Sequence, residues 1–114
     1  MEECIFCKIV SKEVKSNIIY EDDSFIAFRD INPQAPTHLL LIPKIHINSL
    51  NDINEENVNV LSKLCLIIKK IASSEKIAEE GYRVVVNTGA NAGQAVKHLH
   101  FHILGGRKFS WPPG

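Results

Sequence analysis

Three of the five histidines in this chain stand at every second position of one short apolar run, residues 98–104 with the sequence HLHFHIL. Successive side chains of a β-strand point to opposite faces, so His98, His100 and His102 would project together. Imidazole is a common metal ligand, and near neutral pH it can also act as a nucleophile or a general acid–base group. A half-exposed strand whose polar positions happen to be histidine is the simpler alternative. Strict alternation of three identical, uncommon residues favours a chemical role.

Phosphoryl transfer is one reaction that suits such a set, because a neutral ring can attack phosphorus while protonated neighbours stabilise the developing charge. Metal binding is the other, since a His-x-His pair on a strand can hold zinc. From the residues alone, both interpretations stay open.

Two further segments contain groups capable of chemistry. Cys4 and Cys7 form a C-x-x-C pair, which taken alone fits a redox pair or two unremarkable thiols. The segment GANAGQAV, residues 89–96, offers glycines and main-chain N–H groups that can surround an anion, although such loops are frequently ordinary turns.

The composition limits the class of protein. The chain has 114 residues, of which 45% are hydrophobic and 23% charged, so residues 1–114 are predicted to form one globular domain. Lys and Arg balance Asp and Glu at 13 each, which indicates neither a nucleic-acid partner nor a membrane surface. No signal peptide is recognised, and an odd count of three cysteines suits a reducing compartment. We therefore expect a cytoplasmic protein.

The pattern of apolar residues and turn formers predicts the elements that hold these groups. They are a helix over 5–12, a hairpin of strands 17–22 and 23–30 turning at Asp22–Asp23, a proline loop over 31–38, a strand over 38–43, a helix over 54–75, a strand over 82–87, a loop over 88–94 and a strand over 98–104. Asn54 is expected to cap the long helix. Its buried stripe is expected to be Leu61, Leu64, Cys65, Ile68 and Ile71. The fold class is α+β: an antiparallel sheet of about five strands, covered by one long helix, with a short N-terminal helix.

The run HLHFHIL fits the histidine triad pattern, His-φ-His-φ-His-φ-φ with φ apolar. The segments IFCKIV, YEDDSFIAFRDINPQAPTHLLLIPKIH, GYRVVVNTG, GGR and WPPG follow one another as in the nucleotide-binding branch of the histidine triad (HIT) family. The chain resembles that branch over nearly its whole length. The resemblance implies a HIT-like fold, a homodimer, and activity as a purine nucleoside phosphoramidase on adenosine or guanosine phosphoramidates.

The resemblance also implies roles for the histidines. His100 would attack the α-phosphorus to form a nucleotidyl-imidazole intermediate, from which water releases the nucleoside monophosphate. The carbonyl of His98 would accept from Nδ1–H of His100 and leave Nε2 free. His102 and His38 would hold phosphate oxygens or assist the leaving group.

For the nucleotide, the resemblance implies that Asp30 accepts from both ribose hydroxyls, beside the backbone of Ile31. Without the resemblance, Asp30 is interpreted as a turn residue. The base would be enclosed by Phe6, Ile9, Phe28, Ile31 and Leu40, each of which composition alone would place in the core. The phosphate would lie beside Asn87, Gly93, Gln94 and Ala95. Trp111 would reach the partner subunit's site.

Ala95 departs from the family pattern, in which a serine hydroxyl bonds the phosphate or the leaving group. The departure puts in doubt the rate and the leaving-group preference, not the reaction class.

The resemblance further implies a structural zinc ion held by Cys4, Cys7, His46 and His98. A Cys₂His₂ set is a closed site, so no cofactor is expected to be required for the chemistry. Cys65 is interpreted as a core residue.

Two rival functions remain open. One is a dinucleoside polyphosphate hydrolase, a sister activity within the family. The other is a nucleotide-binding or scaffold module without catalysis, which Ala95 mildly favours and the intact triad, Asp30 and Asn87 disfavour.

Overall fold

The computed structural model describes residues 4–114. Its helices are α1 (Ile5–Val10) and α2 (Asn59–Ser74), and its strands are β1 (Ile18–Glu21), β2 (Phe25–Arg29), β3 (Thr37–Pro43), β4 (Tyr82–Val85) and β5 (Phe101–Gly105). The strands form an antiparallel sheet in the order β1-β2-β3-β5-β4. The predicted α+β class, with one main helix and a short N-terminal helix, is confirmed. Among residues 4–114, no helix is both long enough and apolar enough to cross a membrane.

The sheet separates two apolar clusters, because neighbouring residues of a strand face opposite ways. One cluster lies under α2 and includes Leu39, Leu41, Leu99, Phe101 and Ile103. The other lies on the far side of the sheet, beneath α1, and consists of Phe6, Ile9, Ile26, Phe28, Leu40 and Ile42. The apolar residues that alternate with the histidines therefore pack against the long helix. The histidines face the α1 side.

The long helix begins five residues later than the sequence predicts. Asn54 Oδ1 accepts from the backbone N–H of Glu56 and Asn57, and Asn57 Oδ1 accepts from the backbone N–H of Asn54 at 2.7 Å. These short side chains bond to nearby backbone groups and hold residues 55–58 as turns, so the helix proper starts at Asn59. Asn54 is a turn-capping residue and not the N-cap of α2.

The prediction that Cys65 belongs to the core is wrong, because its side chain is exposed. The buried residues of α2 are Leu64, Ile67, Ile68, Ile71 and Ala72. At 100° per residue, Cys65 stands roughly 90° from the centre of that face. Leu61 is partly buried against the same cluster.

The last strand also begins later than predicted, at Phe101 and not at His98. The N–H of Leu99 bonds to the carbonyl of Ile47 at 2.6 Å, so this part of the chain is held by the loop after β3 and not by the sheet ladder. The alternation of faces nevertheless continues through the segment, since Leu99 packs in the α2 cluster while His98 and His100 are buried away from it.

Candidate active site and metal centre

His38 and His102 are neighbours on the sheet. In the β3–β5 ladder His38 pairs with Leu104 and Leu40 pairs with His102, which puts the two histidines on one face at diagonal positions. Their nearest nitrogens, Nε2 of His38 and Nδ1 of His102, are 2.9 Å apart. The structure therefore brings together two of the histidines that the sequence singles out, one from each strand.

Asp30 joins this pair from the end of β2. Its Oδ2 lies 3.4 Å from Nε2 of His38, while Oδ1 accepts from the N–H of Asn32 at 2.8 Å. One carboxylate oxygen thus serves the turn that the simpler interpretation predicts, and the other faces the histidines. A contact between Asp30 and His38 was not predicted from the sequence.

The orientation of His100 is fixed by the backbone before it. Its Nδ1 lies 2.7 Å from the carbonyl oxygen of His98. A carbonyl can only accept, so Nδ1 carries a proton, and in the neutral ring Nε2 holds the lone pair. The ring packs edge-on against Phe6 and His102, with centroids 5.1 and 5.2 Å away. This contact between His98 and His100 is the one predicted in the sequence analysis.

Burial favours the neutral forms of His38 and His102 near pH 7. It lowers the pKa of His102 from 6.5 to about 4, with further contributions from the charges of His100 and His38. Burial also lowers the pKa of His38, although the nearby Asp30 carboxylate opposes that shift. The pair can therefore offer lone pairs and N–H donors at neutral pH without first losing a proton.

A second cluster lies on the side of His100 away from His102. It consists of Cys4, Cys7, His46 and His98. Their ligating atoms all lie within 4.8 Å of one another. The distances from sulfur to Nδ1 are 3.4 Å for Cys4–His98, 3.3 Å for Cys7–His46 and 3.5 Å for Cys7–His98. Sulfur and nitrogen ligands at usual bond lengths around a tetrahedral zinc ion stand about 3.5 Å apart. The spacing fits a tetrahedral metal site.

The outer nitrogens of both histidines in this cluster support the same interpretation. Nε2 of His98 lies 2.8 Å from the carbonyl of Pro43, and Nε2 of His46 lies 2.7 Å from Oδ1 of Asn48. These oxygens bind Nε2–H, so each Nδ1 keeps the lone pair that a metal requires. Outer hydrogen bonds of this kind accompany histidine ligands in metal proteins. Neither Pro43 nor Asn48 was singled out from the sequence, although Asn48 stands only two residues after His46.

The residues proposed to enclose the base divide into two groups. Four of them, Phe6, Ile9, Phe28 and Leu40, are buried together on the α1 side of the sheet. Ile31, in contrast, is 98% exposed on the loop after β2. Trp111 is 82% exposed in the C-terminal segment. Both exposed apolar side chains are available to a ligand or to a second chain.

The loop over residues 89–94 is closed by its own hydrogen bonds. The N–H of Gly93 bonds to Ala90 O, and the N–H of Gln94 bonds to Gly89 O, so these two donors are used within the loop. The side chain of Gln94 accepts from the N–H of Gly89 and donates to the carbonyls of Asn48 and Val96. Gln94 therefore joins the loop to the segment that carries His46. No local pattern in the sequence indicates this role.

Asn87 and Ala95 flank this loop. Asn87 is half-buried two residues beyond Val85, the residue that pairs with His102 in the β4–β5 ladder. Ala95 is exposed and lines the same cavity as Cys4 and His46.

Comparison with known proteins shows which family, proteins and solved structures this chain resembles. The HIT domain profile matches residues 11–109. Over 106 residues the chain is 51% identical to the purine nucleoside phosphoramidase of Escherichia coli K12, an alignment that covers 93% of this chain and 89% of that protein. It is 48% identical to the 14 kDa zinc-binding protein of Zea mays, over 96% of this chain and 87% of that one. The crystal structure of a HIT family hydrolase from Legionella pneumophila superimposes with a TM-score of 0.96 at 48% identity, over 98% of this chain and 100% of that one.

Proposed function

The chain belongs to the HIT family and is a hydrolase, and on that basis we propose that it cleaves the P–N bond of adenosine and guanosine 5′-phosphoramidates. The observation that carries the proposal is the bond from Nδ1 of His100 to the carbonyl of His98, at 2.7 Å. In the neutral ring this bond leaves the lone pair on Nε2, the nitrogen that is not bonded to the backbone, as nucleophilic attack requires. The 51% identity to a purine nucleoside phosphoramidase supports the choice of substrate.

The proposed reaction has two steps. In the first, the lone pair of His100 Nε2 forms a bond to the α-phosphorus while the P–N bond to the amine breaks, and the amine takes up a proton as it leaves. In the second, water attacks the same phosphorus while the bond from phosphorus to His100 Nε2 breaks. The water loses a proton, which replaces the one taken up by the amine, and the nucleoside monophosphate is released with His100 restored. Division into two displacements replaces one difficult step by two easier ones.

His102 and His38 are proposed to serve the phosphate and the leaving group. They are joined at 2.9 Å, and both have pKa values lowered by burial, so near pH 7 they act as neutral N–H donors. Asp30 is proposed to accept from the ribose hydroxyls, which would engage the carboxylate edge that now faces His38. Beside the phosphate we place Asn87, Gly93, Gln94 and Ala95, and around the base Phe6, Ile9, Phe28, Ile31 and Leu40.

We also propose that Cys4, Cys7, His46 and His98 bind one zinc ion. Its role would be structural: a closed four-ligand site attaches α1 to the sheet and supplies no open position for a reactant. The residues fit the metal by their spacing, by donor type and by the oxygen partners of both outer nitrogens. All the described cysteines are free thiols, and the cytoplasm that we propose as the location would keep them reduced.

A homodimer is proposed as well. β4 is an edge strand of the sheet, and an apolar groove runs from its exposed Val84 to the side of α2 that carries Cys65. An exposed edge strand beside an apolar groove is a surface that proteins usually cover. A second copy of the chain would cover it, and it would bring a second Trp111 tail to the assembly.

The experiment that tests the activity is release of monophosphate from a panel of adenosine and guanosine phosphoramidates, with diadenosine polyphosphates offered in parallel. We expect faster turnover of the phosphoramidates. Faster turnover of the polyphosphates would favour the sister activity, and nucleotide binding without turnover of either class would favour a non-catalytic module.

A further inference from the structure

The segment Gly105-Gly106-Arg107 begins at the last residue of β5 and lies against residues 31–36 of the proline loop. Arg107 Nε donates to the carbonyl of Gln34 at 3.0 Å. A Cβ added to Gly106 would stand 2.9 Å from Cβ of Pro36, so the two segments approach as closely as a glycine allows. The end of β5 therefore holds the proline loop at two points.

The guanidinium of Arg107 is itself held in place. Its Nη1 donates to the carbonyl of Lys108 at 2.8 Å, and its carbon stands 4.2 Å from the centre of the Phe109 ring. A guanidinium held over an aromatic ring and bonded at a second nitrogen has less freedom to lose when it binds Gln34. The contact is exposed, but it is preorganised.

The backbone of Gln34 acts in turn on His38. The N–H of Gln34 donates to Nδ1 of His38 at 3.0 Å. An N–H can only donate, so Nδ1 holds a lone pair and a neutral His38 must carry its proton on Nε2. That proton is directed at Nδ1 of His102, 2.9 Å away, which leaves the proton of a neutral His102 on its own Nε2.

We infer that Arg107 is a positioning residue for this site: by fixing the backbone of Gln34 it sets the tautomer of His38 and, through it, the nitrogen with which His102 donates. The inference rests on the proposed function only for its effect on turnover. The described hydrogen bonds of Arg107 go to the backbone carbonyls of Gln34 and Lys108 and not to a histidine, so it acts through Gln34. Its loss would leave the imidazoles in place but free to exchange tautomers, and a misplaced donor affects the chemical step more than substrate binding.

The test is nitrogen NMR of the histidine rings in substrate-free protein, which distinguishes a protonated ring nitrogen from one with a lone pair. In wild type, His38 is expected to be a single Nε2–H tautomer. Arg107→Ala is expected to give a mixture of tautomers and to lower kcat by about tenfold to a hundredfold with little change in KM. Arg107→Lys retains an N–H donor for the carbonyl of Gln34 but loses the planar guanidinium. It is expected to have a tautomer ratio and a kcat between those of wild type and Arg107→Ala.

Arg83→Ala is the matched control. The guanidinium carbon of Arg83 stands 5.1 Å from the centre of the Phe109 ring, and Nη2 donates to the carbonyl of Ser110 and not to the proline loop. This variant is expected to leave the His38 tautomer as in wild type. An Arg107→Ala protein with the wild-type tautomer and wild-type kcat would overturn the inference. An altered tautomer in a chain whose wild type turns over no phosphoramidate would instead overturn the proposed function alone.

Discussion

The carbonyl oxygen of His98 and Nδ1 of His100 are 2.7 Å apart, so two members of the triad are bonded through the backbone of one and the ring of the other. The ring of His98 meanwhile points into the cysteine cluster, with Nδ1 3.4 Å from Cys4 Sγ. One residue thus belongs to two sites: its side chain serves the proposed metal and its backbone serves the proposed nucleophile. Substitutions can separate these two roles.

His100→Asn is expected to lower turnover by several orders of magnitude while monophosphate binding persists. The asparagine has no basic nitrogen to attack phosphorus, and His102 cannot replace it because it is offset along the strand by about 6.5–7 Å. His98→Asn keeps the backbone carbonyl, so it is expected to retain more of the chemistry. Steady-state kinetics and nucleotide titration on both variants make the comparison. Rapid quenching should trap an acid-labile, base-stable adduct on wild type and none on His100→Asn; near-normal turnover by that variant would refute the mechanism.

Cys4→Ser is expected to abolish metal binding and lower the Tm while it spares much of the activity. Metal analysis of wild type purified without chelator should approach one zinc per chain. Cys65→Ser is the control, because Cys65 is exposed on α2 and takes no part in the cluster. The zinc proposal fails if wild type contains no metal, or if the two variants have the same metal content and the same Tm.

Asp30→Ala is expected to weaken binding of nucleoside monophosphates by about tenfold or more, since hydrogen bonds from two hydroxyls to a carboxylate are worth roughly 1.5–3 kcal/mol each. A 2′,3′-dideoxy analogue has no hydroxyl to donate and should bind both proteins alike. The comparison matters because Asp30 also holds the turn at Asn32. If Asp30 had a purely structural role, Asp30→Ala would weaken the binding of both ligands equally. Calorimetric titration of each ligand distinguishes the two outcomes.

The low pKa of His102 predicts that the free energy of unfolding declines in acid. Burial lowers that pKa from 6.5 to about 4. Below pH 6.5 the unfolded chain therefore binds a proton at His102, whereas the folded chain does not bind it until the pH reaches about 4. The stabilising contribution is therefore complete above pH 6.5 and is lost as the pH falls toward 4. His102→Asn should show a shallower decline over this window in urea titrations at equal metal content. Parallel curves for the two proteins would contradict the assignment.

Val84→Glu is expected to shift a dimer toward monomer in sedimentation experiments, because it puts a charge on the edge strand beside the apolar groove. Leu66→Glu makes the same change at an apolar residue that is 70% exposed and does not line that groove. It should leave the sedimentation coefficient unchanged. If the two variants had the same sedimentation coefficient, any dimer contact would lie away from the groove.

Features determined by residue type and strand alternation could be predicted from the sequence. The common face of the three histidines and the buried strand over 38–43 agree with their patterns, since the alternation of side chains depends on local geometry alone. The contact of His38 with His102 required the register of β3 against β5, which no local pattern encodes. Cys65 was misplaced for a similar reason: a helix can rotate by a fraction of a turn on its sheet, and packing decides the angle.

Backbone groups form the second class of feature that the sequence did not reveal. The carbonyl of Pro43, the N–H of Gln34 and the carbonyl of Ile47 each hold a part of the site, yet every residue type offers a backbone carbonyl and nearly every type an N–H. The delayed start of α2 has a comparable origin, because the reciprocal bonds of Asn54 and Asn57 compete with a helix that the apolar pattern alone would extend.

The alternation of histidines with Leu99, Phe101 and Ile103 also limits how this segment can vary in length. A one-residue insertion or deletion within it would exchange the two faces beyond that point, so that imidazoles entered the cluster under α2 and apolar side chains entered the site. Exchange of single side chains disturbs one face at a time, whereas a change of length disturbs both. Libraries of this protein can therefore vary the apolar side chains at Leu99, Phe101 and Ile103 but should keep the number of residues in 98–103 constant.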